Sequence, residues 1–413
     1  MPESPARNRP PDTGLSHQSA SRRSAGITQL VLLLSGSCMS VLGAVLIAPV
    51  LPRMTRAFAD TPGADVLVPL VLTAPALLIA LTAPLAGIAV DKIDRKRLLI
   101  AAMLAYAVFG TAPLYLDSLG AILASRVLVG LCEGAIMTCC TTLIGDYWSG
   151  SRRARYLALQ TLVATLSATA FLALGGALGA SSWRTPFWLY AVAAPLAIPM
   201  LVKLWQPVSP EKRAANRHLP KLPWGGLAAP CLVTVFGGVV FYALIVELPY
   251  VLTEVGVTST GAIGLVSVIM SLGTAGGALA FGPLAGKSPR VLLPVEFGLS
   301  AAGFLLVFAA ASPVLITIGA VLTGFGTGML LPTLVTWAVK RLAFEQRGRG
   351  TGLWTSTLFL GEFASPLAIS AIATGTGGVR SALAVLGIAT AVMAALTAIA
   401  VRRTDRPRHI SDT

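Results

Sequence analysis

The sequence predicts an all-α membrane protein, twelve transmembrane helices arranged as two pseudo-symmetric six-helix bundles. Three observations carry that expectation. First, 55% of the 413 residues are hydrophobic, only 12% are charged, and mean hydropathy is +0.78. A globular chain carries about 25% charged residues, so this one lacks the polar surface to stay in water. Second, the apolar residues fall in runs close to the ~20 residues that cross a bilayer as a helix. Barrel strands would alternate over about ten residues, whereas these runs are apolar on all sides. Third, the longest internal polar stretch, Gln206 to Trp224, divides the runs six and six.

Residues 1–26 are rich in Pro, Ser and Arg without an apolar face, and read as a disordered cytoplasmic tail. The first run, 27–51, is too long for a signal-peptide core and lacks a small-residue cleavage site, so it reads as a retained helix. Further runs follow at 66–90, 98–116, 119–142, 156–179 and 186–205, then 225–251, 262–286, 291–310, 313–339, 351–373 and 380–401. The breaks at Asp117-Ser118 and Ser312-Pro313 are short, but merging across either would give a helix near or above 40 residues. The domain plan is a bundle over 27–205, a cytoplasmic linker over 206–224, a second bundle over 225–401 and a tail over 402–413.

Twelve spans put both ends of the chain on one side, and Lys/Arg placement identifies which. That side carries 26 of the 31 basic residues; the other has Arg53, Arg56, Arg184 and Arg380, with Arg126 inside a span. Both termini are therefore expected in the cytoplasm, in a multi-pass cell-membrane protein. The net charge of +14 is a topology signal and needs no nucleic acid to explain it. All five cysteines lie inside apolar runs, as small packing residues would. His17, His218 and His409 lie in polar segments, which excludes a histidine metal site or buried histidine relay.

The halves resemble each other weakly. Pro84-Leu-Ala-Gly87 ends the second run and Pro283-Leu-Ala-Gly286 the eighth; Arg153-x-Arg155 opens the fifth and Arg347-x-Arg349 the eleventh. Two such matches at nearly one offset are a parallel repeat, a transporter signature. Between the second and third runs, six of the seven residues Asp91 to Arg97 are charged. Asp91 follows Gly87 by one helical turn, where a carboxylate can accept hydrogen bonds from another helix's N-terminal amides.

Arg126 lies about eight residues into its span, roughly 12 Å deep. A central arginine costs about 2.5–3.5 kcal/mol on insertion scales, so it must face the interior and find an acceptor. Glu133 lies two turns further along the same face, and Glu362 sits near the middle of the eleventh run. A buried unpaired carboxylate takes up a proton, which makes both candidates for proton coupling; Glu133 reads equally well as a neutralising partner for Arg126. Glu247 reads as a solvated rim residue and Asp146 as structural. Gly130-x-x-x-Gly134, Gly273-x-x-x-Gly277 and Gly324-x-x-x-Gly328 read as helix-packing faces. No phosphate loop, zinc spacing or catalytic triad occurs, so no enzyme activity and no cofactor is expected.

From 27 to 401 the chain resembles the major facilitator superfamily. Gly87, Asp91, Lys92, Arg95 and Lys96 match the family's signature between helices two and three, with Asp94 where glycine is usual. Arg126-Val-Leu-Val-Gly130 is similar to the fourth-helix Arg-x-x-x-Gly signature, and Trp183-Arg184-x-x-Phe187 to the family's pattern before helix six. Proton-coupled drug exporters carry a fifth-helix signature ending Gly-Pro-x-x-Gly-Gly; Phe171-Leu-Ala-Leu-Gly175-Gly176 keeps the glycine pair without the Gly-Pro.

The resemblance implies a cytoplasmic gate at Gly87, Asp91, Lys92, Arg95 and Lys96, gripping the eleventh helix near Gly350-Thr351-Gly352. It implies a central cavity in spans that contain Met39, Phe236, Phe241, Tyr242, Phe325, Met329 and Phe359. The expected activity is proton-coupled efflux of a small amphiphilic drug, siderophore or metabolite by a monomer working through alternating access. Its partners would be that small-molecule substrate, protons and membrane lipid. The alternatives are a proton symporter or facilitator importing a metabolite, and a membrane receptor or scaffold that no longer transports.

Overall fold

In the computed structural model, residues 25–92, 94–206, 222–343 and 346–404 are described, without the side chains of 85–92 and 400–404. Twelve helices among them are long and apolar enough to cross a membrane. The first half holds α1 (Ile27–Ala57), α2 (Ala64–Pro84), α3 (Arg95–Leu114), α4 (Leu119–Tyr147), α5 (Gly150–Leu178) and α6 (Thr185–Lys203). The second holds α7 (Trp224–Glu254), α8 (Thr260–Leu284), α9 (Pro289–Ala309), α10 (Pro313–Val339), α11 (Arg347–Thr376) and α12 (Val379–Ile399). All twelve expected runs are present.

The largest differences from the expected bounds lie at helix ends, where the structure extends past the apolar run. α5 begins at Gly150 rather than 156, because Ser151–Tyr156 continue the helix through basic residues. α1 runs to Ala57 through a 3-10 turn at Ala48–Val50, where Pro49 and Pro52 interrupt regular hydrogen bonding. Backbone geometry extends a helix past its hydrophobic segment because end turns need no apolar environment.

Inside each half, packing is carried by glycines that let backbones meet. Gly130 lies against the backbone of Pro75, joining α4 to α2. A methyl on Gly277 would fall 2.0 Å from the Phe325 carbonyl, and one on Gly328 2.0 Å from that of Thr274. The two Gly-x-x-x-Gly faces of α8 and α10 therefore interlock. Three hydrophobic clusters fill the interior, one mainly in the first half but reaching Tyr242 and Val246 of α7, and two in the second.

The halves touch at both ends of the bundle. Near the face that bears the chain ends, Ser356 on α11 donates to the Ala80 carbonyl of α2, and Gly352 approaches Ala83. Towards the opposite face, the Tyr250 hydroxyl of α7 meets Thr55 of α1 at 3.0 Å. There α5 and α8 cross with the Cβ position of Gly176 only 2.8 Å from the Gly264 Cα.

Candidate functional site

Between these contacts lies a cavity of about 640 Å³, walled mainly by α5, α7, α8 and α10, with Val45 of α1 and Trp354 of α11 completing it. Its polar side chains are Thr161 and Thr165 from α5, Ser271 and Thr274 from α8, and Thr323 and Thr327 from α10, besides Trp354. The rest of the wall is apolar or glycine, and no lining residue is charged.

Of the aromatic and methionine residues expected around a cavity, Phe241 lines this one. Met39, Phe236, Tyr242, Phe325, Met329 and Phe359 are not among its lining residues. Phe236 packs 5.9 Å from Phe297 inside the second half. Tyr242 turns to the other half, donating its hydroxyl hydrogen to the Ala44 carbonyl of α1. Met39 is buried, and its carbonyl accepts from the Tyr106 hydroxyl at 2.5 Å. Met329 is buried, while Phe325 and Phe359 are half-buried. The hydroxyl belt carries no motif; its signal in sequence is Thr and Ser recurring at helical spacing within α5, α8 and α10.

Arg126 is 1% exposed. Its Nη2 donates to the Phe109 and Gly110 carbonyls at 2.8 and 3.0 Å, and its guanidinium lies over the Phe187 and Tyr190 rings. The last carbonyls of a helix lack intrahelical partners, and the helix dipole makes that end negative; Arg126 satisfies part of the α3 end. Glu133 is equally buried, and its Oε1 has no hydrogen-bond partner. A methyl at Gly43 of α1 would fall 1.6 Å from that oxygen. No ion pair joins Arg126 to Glu133 among the described residues.

Three further arginines repeat the Arg126 arrangement at the face away from the chain ends. Arg53 donates to Gly179 and Ala180 at the end of α5. Arg184 donates to Pro113 and Leu114 at the end of α3 and pairs with Asp117 at 2.7 Å. Arg380 donates to Phe308 and Ala310 at the end of α9. Four of the five basic residues outside the cationic face thus serve as ligands for helix ends.

Glu362 is 6% exposed, in mid-α11, where Gly238 and Gly361 bring α7 and α11 into backbone contact. No hydrogen bond or ion pair to its carboxyl occurs among the described residues. Glu247 is buried, correcting its expected place at a solvated rim: the far end of α7 packs against the bent end of α1, covering it. Sequence reasoning missed Glu296 of α9, which is fully buried, accepts from the Thr333 hydroxyl at 2.6 Å and leaves Oε2 without a partner. A lone glutamate in an apolar run was the available signal.

Of the expected gate, the side chains of Gly87, Asp91 and Lys92 lie outside the described residues. Arg95 pairs with Asp146, tying the start of α3 to the end of α4. The Lys96 backbone N–H points to the Gln206 side chain at 3.4 Å. Asp94 explains itself: its carboxylate accepts from the Arg97 N–H at 3.0 Å and caps α3.

The comparisons agree with this architecture. The Major Facilitator Superfamily profile matches residues 33–258 and again 230–412. The chain is 28% identical over 315 residues to the 3-(3-hydroxy-phenyl)propionate transporter of Escherichia coli strain K12, covering 72% of this chain and 76% of that one. It is 29% identical over 167 residues to the class C tetracycline resistance protein of Escherichia coli, 40% of this chain and 41% of that one. Among solved structures, a bacterial homologue of the human lysosomal transporter Spinster, inward-facing and occupied, superposes with a TM-score of 0.72 at 16% identity, over 90% of this chain and 96% of that one. A D-xylose–proton symporter reaches 0.74 at 13% identity, over 90% and 97%; at these identities the likeness is one of fold. The twelve-helix architecture, the cavity between its halves and the profile match over both of them place this chain in the Major Facilitator Superfamily, as a multi-pass membrane transporter of small molecules.

Proposed function

We propose that this transporter exports a small amphiphilic compound (a drug, siderophore or metabolite) in exchange for protons, by alternating access in the cytoplasmic membrane with both termini inside. The carrying observation is the separation of an uncharged, mostly apolar cavity from buried carboxyls beside it. An apolar pocket with a few polar groups suits an amphiphile, and an unpaired carboxyl deep in a helix bundle is held neutral by a proton. Glu362 and Glu133 are the proposed proton carriers: each sits at a crossing within its own half, and both lie near Tyr242, whose hydroxyl joins the halves at the Ala44 carbonyl. Arg126, two turns before Glu133 on α4, supplies the nearby positive charge for that acid. The α2–α11 contact supports a gate in which Asp91, with Gly87, Lys92, Arg95 and Lys96, holds the cytoplasmic side shut.

Import by proton symport is the second reading, favoured by the aromatic-acid transporter that aligns with most of this chain. Everted vesicles separate them. Under antiport, adding substrate dissipates a pre-formed inward-acid pH gradient, whereas a symporter moves substrate and protons in one direction. No response across a broad panel of amphiphiles would sink the antiport reading. Loss of the response in Glu362→Gln, with binding retained, is the expected signature of its proton role; intact coupling would remove Glu362 from the mechanism.

A further inference from the structure

The cavity's threonine hydroxyls have a common property: their hydrogens are already committed. A threonine or serine hydroxyl has one hydrogen and two lone pairs. Thr161 donates to Leu157 O and Thr165 to Thr161 O on α5. Thr274 donates to Met270 O on α8, and on α10 Thr323 and Thr327 donate to Gly319 O and Thr323 O. Ser271 lies 2.8 Å from the Thr169 hydroxyl. Either oxygen can donate across this pair; with Thr169 donating to Thr165 O, Ser271 supplies the hydrogen. Such back-bonding to the preceding turn is how hydroxyls are accommodated in a membrane helix. The consequence for a ligand is that lone pairs remain and hydrogens do not.

The backbone adds to this bias. Pro332 lacks the N–H that would bond the carbonyl of Gly328, a cavity residue. The wall's single side-chain N–H, on Trp354, is enclosed and has no acceptor. Nothing in the wall neutralises a charge.

Resting on the reading of this cavity as the cargo site, we infer that the cargo is an uncharged, largely apolar molecule that donates hydrogen bonds, such as a phenol, an alcohol or an N–H heterocycle. An ionised carboxylate is acceptor-only and meets neither a cation nor a presented donor. An ammonium meets acceptors but no countercharge, and burying it unpaired is costly. A neutral donor satisfies the lone pairs while its apolar body fills the rest.

The test uses the full-length protein in nanodiscs and four biphenyl probes of one shape: para-phenylphenol, its methyl ether, the corresponding carboxylate and the corresponding trimethylammonium. Binding is measured calorimetrically against empty nanodiscs. The phenol should bind roughly five- to tenfold tighter than the ether, the margin of one hydrogen bond, and more than about thirtyfold tighter than either ion. The pair Thr161→Val and Thr274→Val should weaken the phenol and leave the ether unchanged. Ala278→Trp, which fills the cavity from α8, should abolish phenol binding; Ala168→Trp fills it from α5 should the first variant fold poorly.

If the carboxylate or the ammonium binds as tightly as the phenol, and the filling variants abolish that binding, the donor inference falls while the cavity stands. If binding survives both filling variants, the cavity reading falls with it. Absence of binding by every probe also overturns the inference.

Discussion

Two residues show how a departure from pattern acquires a physical cause. Asp94 replaces a glycine usual in the family signature, and its carboxylate caps α3 through the Arg97 N–H. Asp94→Ala should cost about 1 kcal/mol of stability, with Asp94→Ser close to wild type, as read by thermal unfolding of the purified protein. Arg126 was legible as an arginine that must find an acceptor, and its acceptors are carbonyls, with two rings stacked against it. One nitrogen, Nη2, bonds both carbonyls, which a lysine could imitate, but a lysine has no planar group to lie on both rings. Arg126→Lys should therefore lose about 1–2 kcal/mol in the same unfolding measurement, because the contacts with the Phe187 and Tyr190 rings are lost. Charge counting along the sequence found the exceptions to the cationic face without revealing their purpose, since a helix end's carbonyls belong to another segment of the chain.

At the scale of elements, the glycine pair Gly175-Gly176 divides its work between two neighbours. The Cβ position of Gly175 meets the Leu46 carbonyl of α1 within the first half, and that of Gly176 meets the α8 backbone from the second. The first contact fixes α5 in its bundle; the second is made across the seam between the halves, which the proposed alternating access would part. Gly176→Val should wedge α5 from α8 at the end away from the termini, since backbone there cannot yield as a flexible side chain would. A cysteine at Thr55, beside the Tyr250 contact, should then label several-fold faster from that face. Unchanged labelling would show that the crossing does not control closure. The α8–α10 interlock, by contrast, lies within one half and should move as a rigid pair.

At the scale of the whole molecule, the two halves contact each other near the chain-end face through α2 and α11 and near the opposite face through α1–α7 and α5–α8. The cavity and the buried glutamates lie between. Alternating access by rocking would break these contact sets in turn, and Glu133 and Glu362, each at a crossing within its own half, both lie near Tyr242, whose bond to the Ala44 carbonyl crosses between the halves. Replacing both with Gln should abolish proton-driven accumulation while counterflow exchange of substrate persists, because the proposed function assigns binding to the cavity and coupling to the carboxyls; loss of both activities together would place the acids in substrate binding instead. The sequence by itself determined the number of spans, their order and the two-half plan. Lipid burial acts on each segment separately, so a run of apolar residues and a break of polar ones suffice to declare it. It also exposed Arg126, Glu133 and Glu362, whose cost in a membrane marks them wherever they point. Only tertiary structure decided which faces meet at the cavity, why its polar groups are Thr and Ser with Phe241 alone of the expected aromatics in its wall, and that Glu247 and Glu296 are buried. The physical reason is that helices apolar on every side carry no stripe to state their rotation about the axis; neighbouring backbones set that rotation, through glycines whose partners lie far away in sequence.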